Sequence, residues 1–359
     1  MDRVQRGRLE HALKAGHAYP VHPDGLRLAG VDPIDQNSHW EYRCRDAKTL
    51  LEILDVQCSV HQLPANGELR TFYYRGHRDA SWPLLPSVFR SANGRDGSNN
   101  NFDAHYHGGD QTYEINQYCN FLEAVNSQGM FIEEEAFELL RHHRQGSHDT
   151  ESWVFRDLNS KIVPTTFPSS GQLRTLALAQ HYGIPTRLLD WTKNPYVALF
   201  MATEAIDSVE EMKREINFGI WMIPKVLFDV TSAFKYFFVI DVSKFQNANI
   251  SAQHGCFSLH IPPLEDVLAD RHTFPVSRSN SSFMHLDEYL CDSNGDALHE
   301  EFLNRITGKP MLLTLKSNEV GLIRQKLDQL QMNWTTLMPN LDGAAKEALR
   351  RQRMDRIIG

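Results

Sequence analysis

The chain has 359 residues, of which 41% are hydrophobic and 23% charged, with a formal net charge of −8. This composition excludes a fibrous or largely disordered chain, and the length allows about two domains or one elaborate one. The excess of acid argues against a broad nonspecific nucleic-acid surface and leaves room only for a local basic groove.

The N-terminal stretch MDRVQRGRLEHALKAGHAYP carries charges throughout and lacks the apolar core of a secretory signal. No run approaches the roughly 18 to 20 apolar residues that span a bilayer. A cytoplasmic protein with no membrane insertion is expected. The five cysteines, Cys44, Cys58, Cys119, Cys256 and Cys291, are odd in number and form no CxxC pair. Neither a disulfide framework nor a zinc ribbon is indicated.

The first forty residues include AYPVHPDGLRLAGVDP, rich in turn formers, and read as an arm (1–44) ahead of the core. DAKTLLEILDVQ places Leu50, Leu51, Ile53 and Leu54 at helical spacing, and LRTFYYRG reads as a strand stopping at Gly76. Between 91 and 110, Gly, Asn, Ser and Asp accumulate and periodicity vanishes, which predicts an insertion loop. INQYCNFLEAVNSQ and MFIEEEAFELLRHHR read as helices within an insertion over 111–165.

GQLRTLALAQHYG puts Leu173, Leu176, Ala177 and Gln180 on one helical face, with Gly183 as the terminating glycine. TRLLDW reads as a short buried strand. Asn194 is then the candidate N-cap and Pro195 the first residue of the helix PYVALFMATEA. Asp190 and Thr192 fall at this strand-to-helix junction, where side chains and free amides can face an anionic ligand.

KYFFVIDVS, a turn-interrupted NANISAQHGCFSLHI, and PMLLTLK read as strands, and EVGLIRQKLDQLQ as a helix. Strands and helices alternate without a strict βαβ repeat, so the fold class is mixed α/β. The basic end LRRQRMDR belongs to a terminal helix or tail, 346–359, whose plain reading is a solvated face.

FYYRGHRDASWPLLPSVFR, LALAQHYGIPTRLLDWTKNPYVALFMA, ISAQHGCF and TTLMPNLDGAA, in this order, resemble the FRG domain family across residues 45–345. The naming triplet is here Tyr74-Arg75-Gly76. The order of parts is also similar to the R-S-E class of ADP-ribosyltransferases. That resemblance implies a single large domain with a mixed, split sheet surrounded by helices. In it YYRG is the first element, Asp190-Trp191-Thr192 stands in place of Ser-Thr-Ser, and Gln253 occupies the position of the expected glutamate.

The resemblance implies an enzyme that uses NAD to modify a macromolecule, protein or nucleic acid, as a bacterial toxin or antiphage effector with an antitoxin or chaperone partner. Arg75, Asp190 and Gln253 would be its catalytic residues. Tyr74, Arg75, Gly76, Gln180, His181, Tyr182, Thr186, Arg187, Trp191 and Thr192 would hold the dinucleotide. Arg75 suits a phosphate, and the aromatic residues, with Tyr73, offer faces for stacking a ring. Gln253 can hydrogen-bond a ribose hydroxyl but cannot carry charge, so Asp190 is the candidate acid, with Glu300 and Glu301 as remote alternatives.

The rival expectation is a module that binds a nucleotide or partner without turnover. Plainer roles also stand beside each residue: an internal ion pair for Arg75 with Asp190, a cap for Thr192, and helix-end partners for Gln180 and His181. The densest histidine spots, HYH at 105–107 and RHHR at 141–144, show no ligand spacing, and no metal is expected. Cys256 near His254 would share a face only on a regular strand, and no GxSxG, P-loop or GxGxxG is present.

Overall fold

The computed structural model describes residues 27–61, 70–89, 111–144, 167–204, 206, 216–234, 237–241, 248–260, 286–293, 295, 297–303 and 309–358. The expected loop 91–110, its HYH triplet and the end of the 111–165 insertion lie outside these residues. The fold is mixed α/β, and its eight strands join in one sheet of order β1-β2-β8-β5-β3-β4-β7-β6. The strands are β1 (Ile34–Asp35), β2 (Trp40–Arg43), β3 (Phe72–His77), β4 (Leu188–Thr192), β5 (Asn217–Pro224), β6 (Phe237–Ile240), β7 (Gly255–His260) and β8 (Met311–Lys316). β2 runs parallel to β8, while β5 is antiparallel to both β8 and β3.

Two compact units divide the chain. The first comprises 1–84, 190–256 and 285–359, and the second 85–189 and 257–284.

The core of the first unit follows from strand alternation. Phe72 and Tyr74 of β3, Ile220 and Met222 of β5, and Leu313 and Leu315 of β8 point to one face. There they pack with the helices Ala47–Leu54, Pro195–Glu204 and Val320–Gln329. Six residues of Pro195–Glu204, including Val197, Phe200 and Thr203, are buried, as an almost uniformly apolar helix requires. This helix lies so close over β3 that a side-chain carbon at Gly76 would run into the Ala198 carbonyl and come within 2.8 Å of the Ala202 nitrogen. The glycine of the triplet is therefore demanded by backbone approach.

Turn-rich residues read as the end of an arm supply β1 and β2, and Tyr42 of β2 sits fully buried in the core. The NANIS segment, expected as strand, is the helix Ala248–Ala252. Its alanines favour a helix, and a left-handed His254 (φ 49°) breaks it just before β7 begins at Gly255.

In the second unit, helices Gln111–Ser127, Glu134–Arg144 and Leu173–His181 bury Tyr118, Leu122, Leu140 and Leu176. Gly183 (φ 89°) ends the third of these: its amide bonds the Gln180 carbonyl, and the next amide, that of Ile184, bonds that of Ala179. This is the glycine stop that the sequence suggests.

Candidate functional site

Arg75 lies on the face of β3 opposite the helix-covered core, because alternation sends Tyr74 and Gly76 the other way. Its guanidinium is held on two sides. Nε donates to His77 Nε2 at 3.1 Å, and Nη1 donates to the Asp190 carbonyl at 2.8 Å and to Asp190 Oδ2 at 3.4 Å. Nη2 makes no hydrogen bond among the described residues. Burial pulls the pKa of this group below its ordinary value, and Asp190 opposes the shift. The Arg75 side chain is only 14% exposed, whereas that of Asp190 is 60% exposed. The geometry thus joins a fixed cation to an open carboxylate.

The rest of the junction is spent on the fold. Thr192 Oγ1 donates to the Gln253 carbonyl at 2.7 Å and accepts from the Asn194 amide at 3.1 Å. Asn194 Oδ1 caps the Tyr196 amide, and the Val197 amide bonds the Asn194 carbonyl. The amides expected to greet an anion are therefore already satisfied. Gln253 Nε2 donates to the carbonyl of Leu337 at 3.1 Å, closing the end of the short helix Trp334–Leu337.

Of the expected stacking faces, those of Tyr73, Tyr74 and Trp191 are buried as well. Tyr74 is part of the core, Trp191 meets Phe228 edge-on at 5.2 Å, and Tyr73 stacks on Phe228 at 5.1 Å. Of the remote acids, Glu300 is exposed on the helix Ala297–Phe302.

Gln180, His181, Tyr182, Thr186 and Arg187 belong to the second unit. Arg187 Nε pairs with Glu114 Oε2 at 2.6 Å, its amide bonds Glu114 Oε1 at 2.7 Å, and both side chains are buried. Its guanidinium also covers the Phe167 ring at 5.5 Å. Thr186 donates to Gln180 Oε1 and accepts from the Leu188 amide. His181 and Tyr182 meet edge-on, and Tyr182 stands 69% exposed.

Cys256 is buried, and burial pushes its thiol up to about 12, which leaves no thiolate for nucleophilic attack at neutral pH. His254 stands ahead of β7, so the two residues do not share a strand. All five cysteines are free thiols.

Residues 70–211 match the family model of the FRG domain. The chain carries an FRG domain. Comparison with curated proteins and with solved structures gives no match. Within the FRG domain the name-giving triplet now has a physical division of labour: an aromatic in the core, an arginine held on the opposite face, and a glycine under a helix.

On the Arg75 side of the sheet, a second polar assembly escaped the sequence reading. Trp221 of β5 is paired opposite Arg75 in the ladder, and His39 meets the Trp221 ring edge-on at 4.8 Å. His39 Nδ1 lies 3.2 Å from Asp287 Oδ2, although 248 positions separate the two residues. No local motif announces such a pair. Among the described residues of the chain, no helix is long and apolar enough to cross a membrane.

Proposed function

We propose that the FRG domain is a nucleotide-binding module in which Arg75 takes a phosphate oxygen and the Asp190 carboxylate takes a ribose hydroxyl. The observation that carries this reading is the clamped guanidinium. With Nε on His77 and Nη1 on Asp190, Arg75 pays little further ordering cost to offer Nη2 beside an open carboxylate. NAD and ADP-ribose both present the required phosphate and ribose hydroxyls.

Binding without turnover is the preferred form, because the Thr192 hydroxyl and the Gln253 amide are occupied within the fold. The exposed Asp190 carboxylate favours one second reading, an NAD-dependent ADP-ribosyltransferase with Asp190 as its acid. That reading brings with it a macromolecular acceptor and, in a host, a neutralising partner.

Thermal unfolding of the full chain with NAD or ADP-ribose tests the proposal, since a ligand of the folded state raises the midpoint. Both nucleotides raise it in the wild type, Arg75→Lys loses the rise, and NAD is recovered intact. A midpoint indifferent to both nucleotides contradicts the proposal. Arg75-dependent release of nicotinamide would select the transferase instead.

A further inference from the structure

A cleft of about 540 Å³ opens on the first unit, lined by His39, Glu41, Asp79, Trp82, Trp221 and Asp287 among others. This volume lies within the roughly 300–1,000 Å³ of small-molecule sites. Neither Arg75 nor Asp190 is among its described lining residues, although Trp221, which lines it, pairs with Arg75 across the sheet.

Two groups in the cleft are unspent. Trp221 is 3% exposed, yet its Nε1–H has no hydrogen-bond partner among the described residues. A buried donor left unpaired is costly, and an acceptor brought by a ligand relieves that cost. The second group is His39 Nε2. Asp287 Oδ2 accepts from Ser38 Oγ at 2.6 Å and faces His39 Nδ1 at 3.2 Å. A carboxylate can only accept, so Nδ1 carries a proton towards Asp287, and in the tautomer protonated there Nε2 is the ring's acceptor. The rings of His39 and Trp221 have centroids 4.8 Å apart, close enough for one small ring to meet both.

Charge narrows the ligand class. Three carboxylates, those of Glu41, Asp79 and Asp287, line the cleft, and among the described lining residues none is Lys or Arg. Glu41 is balanced by Arg43 at 2.9 Å, while Asp79 Oδ1 accepts from Ser81. Such a lining repels anions. Trp82 adds an indole wall.

We propose that this cleft binds an uncharged or cationic nitrogen heterocycle whose ring offers an acceptor to Trp221 Nε1–H and a donor to His39 Nε2. Uracil is the probe, and orotate, the same ring bearing a carboxylate, is the anionic control. In ¹⁵N-labelled full-length protein, the indole resonance absent from Trp221→Phe identifies Trp221. It moves saturably with uracil, His39→Leu weakens binding about tenfold, as expected for loss of one hydrogen bond, and orotate leaves the resonance in place. A Trp221 resonance unmoved by uracil, or moved equally by orotate, overturns the proposal. Should Trp221→Phe fail to fold, calorimetric titration with uracil decides between the wild type and His39→Leu: weakened affinity supports the site, and unchanged affinity or no binding to either overturns it.

Discussion

Two regions of the first unit handle polar groups in opposite ways. At the β3–β4 junction, where the FRG segments meet, Thr192 serves the Gln253 carbonyl, Gln253 serves the Leu337 carbonyl, and Asn194 caps a helix. In the cleft lined by Trp221, an indole N–H has no partner among the described residues, and the Asp287 carboxylate engages Nδ1 of His39 and not Nε2. A family's recognisable residues are thus here largely its scaffold. The groups still free to meet a ligand include ones assembled from distant positions that form no motif.

The contrast can be broken most severely at Arg187, a polar residue of the matched segment that is committed to the fold. Glu114→Ala would strand its guanidinium in a buried site, and the expected loss is about 3–5 kcal/mol in urea unfolding of the full chain. A loss below about 1 kcal/mol would mean that Arg187 is less committed than its contacts indicate. Next in size is Gly76→Ala, which forces the helix Pro195–Glu204 away from β3 and costs about 1–3 kcal/mol by the same measurement. Unchanged stability there would deny the close-approach account of the triplet.

Gln253→Ala removes one hydrogen bond and leaves the Leu337 carbonyl without its donor, an effect of about 1 kcal/mol. The smallest effect is in pH dependence. Burial pushes the Asp287 carboxyl up, but hydrogen bonds from His39 and Ser38 outweigh it and hold the group below its ordinary 3.8. A depressed folded pKa contributes stability that is present above 3.8 and is lost as pH falls through the folded value. Asp287→Asn should therefore show its deficit at neutral pH and converge on the wild type as the solution is acidified below the ordinary carboxylate range. A deficit independent of pH would point to packing alone.

Much of the fold was legible because its signals are local. The Gly183 stop, the Asn194–Pro195 helix start and the apolar helix after it each follow from residue chemistry within a few positions. β2 was not, since four residues are too few to establish a period, and its place depends on pairing with β8 some 270 positions away. The NANIS segment misled because Ile250 and the following CFSL run suggest a strand, whereas the break at His254 divides helix from strand.

The candidate site was legible only in part. Arg75 and Asp190 meet as the sequence suggests. Tyr74 and Trp191 read as ligand faces in the sequence because aromatic side chains suit both stacking and cores, and sequence alone does not say which face of β3 is covered. At the C-terminus, Arg350 within the basic LRRQR stretch is not a solvated charge, for it bridges Glu347 and Asp328 at 2.9 and 2.8 Å. The His39–Asp287 pair had no local signal at all.

The most direct test of the account is Gln253→Glu, which supplies the acid that the transferase resemblance expects. Urea unfolding and nicotinamide release from NAD would be measured on the same preparation. A carboxylate set against the Leu337 carbonyl should cost about 1–3 kcal/mol, and neither the variant nor the wild type should release nicotinamide. Release of nicotinamide by the variant at undiminished stability would contradict the account, making Gln253 a silenced catalytic position instead of a strut of the fold.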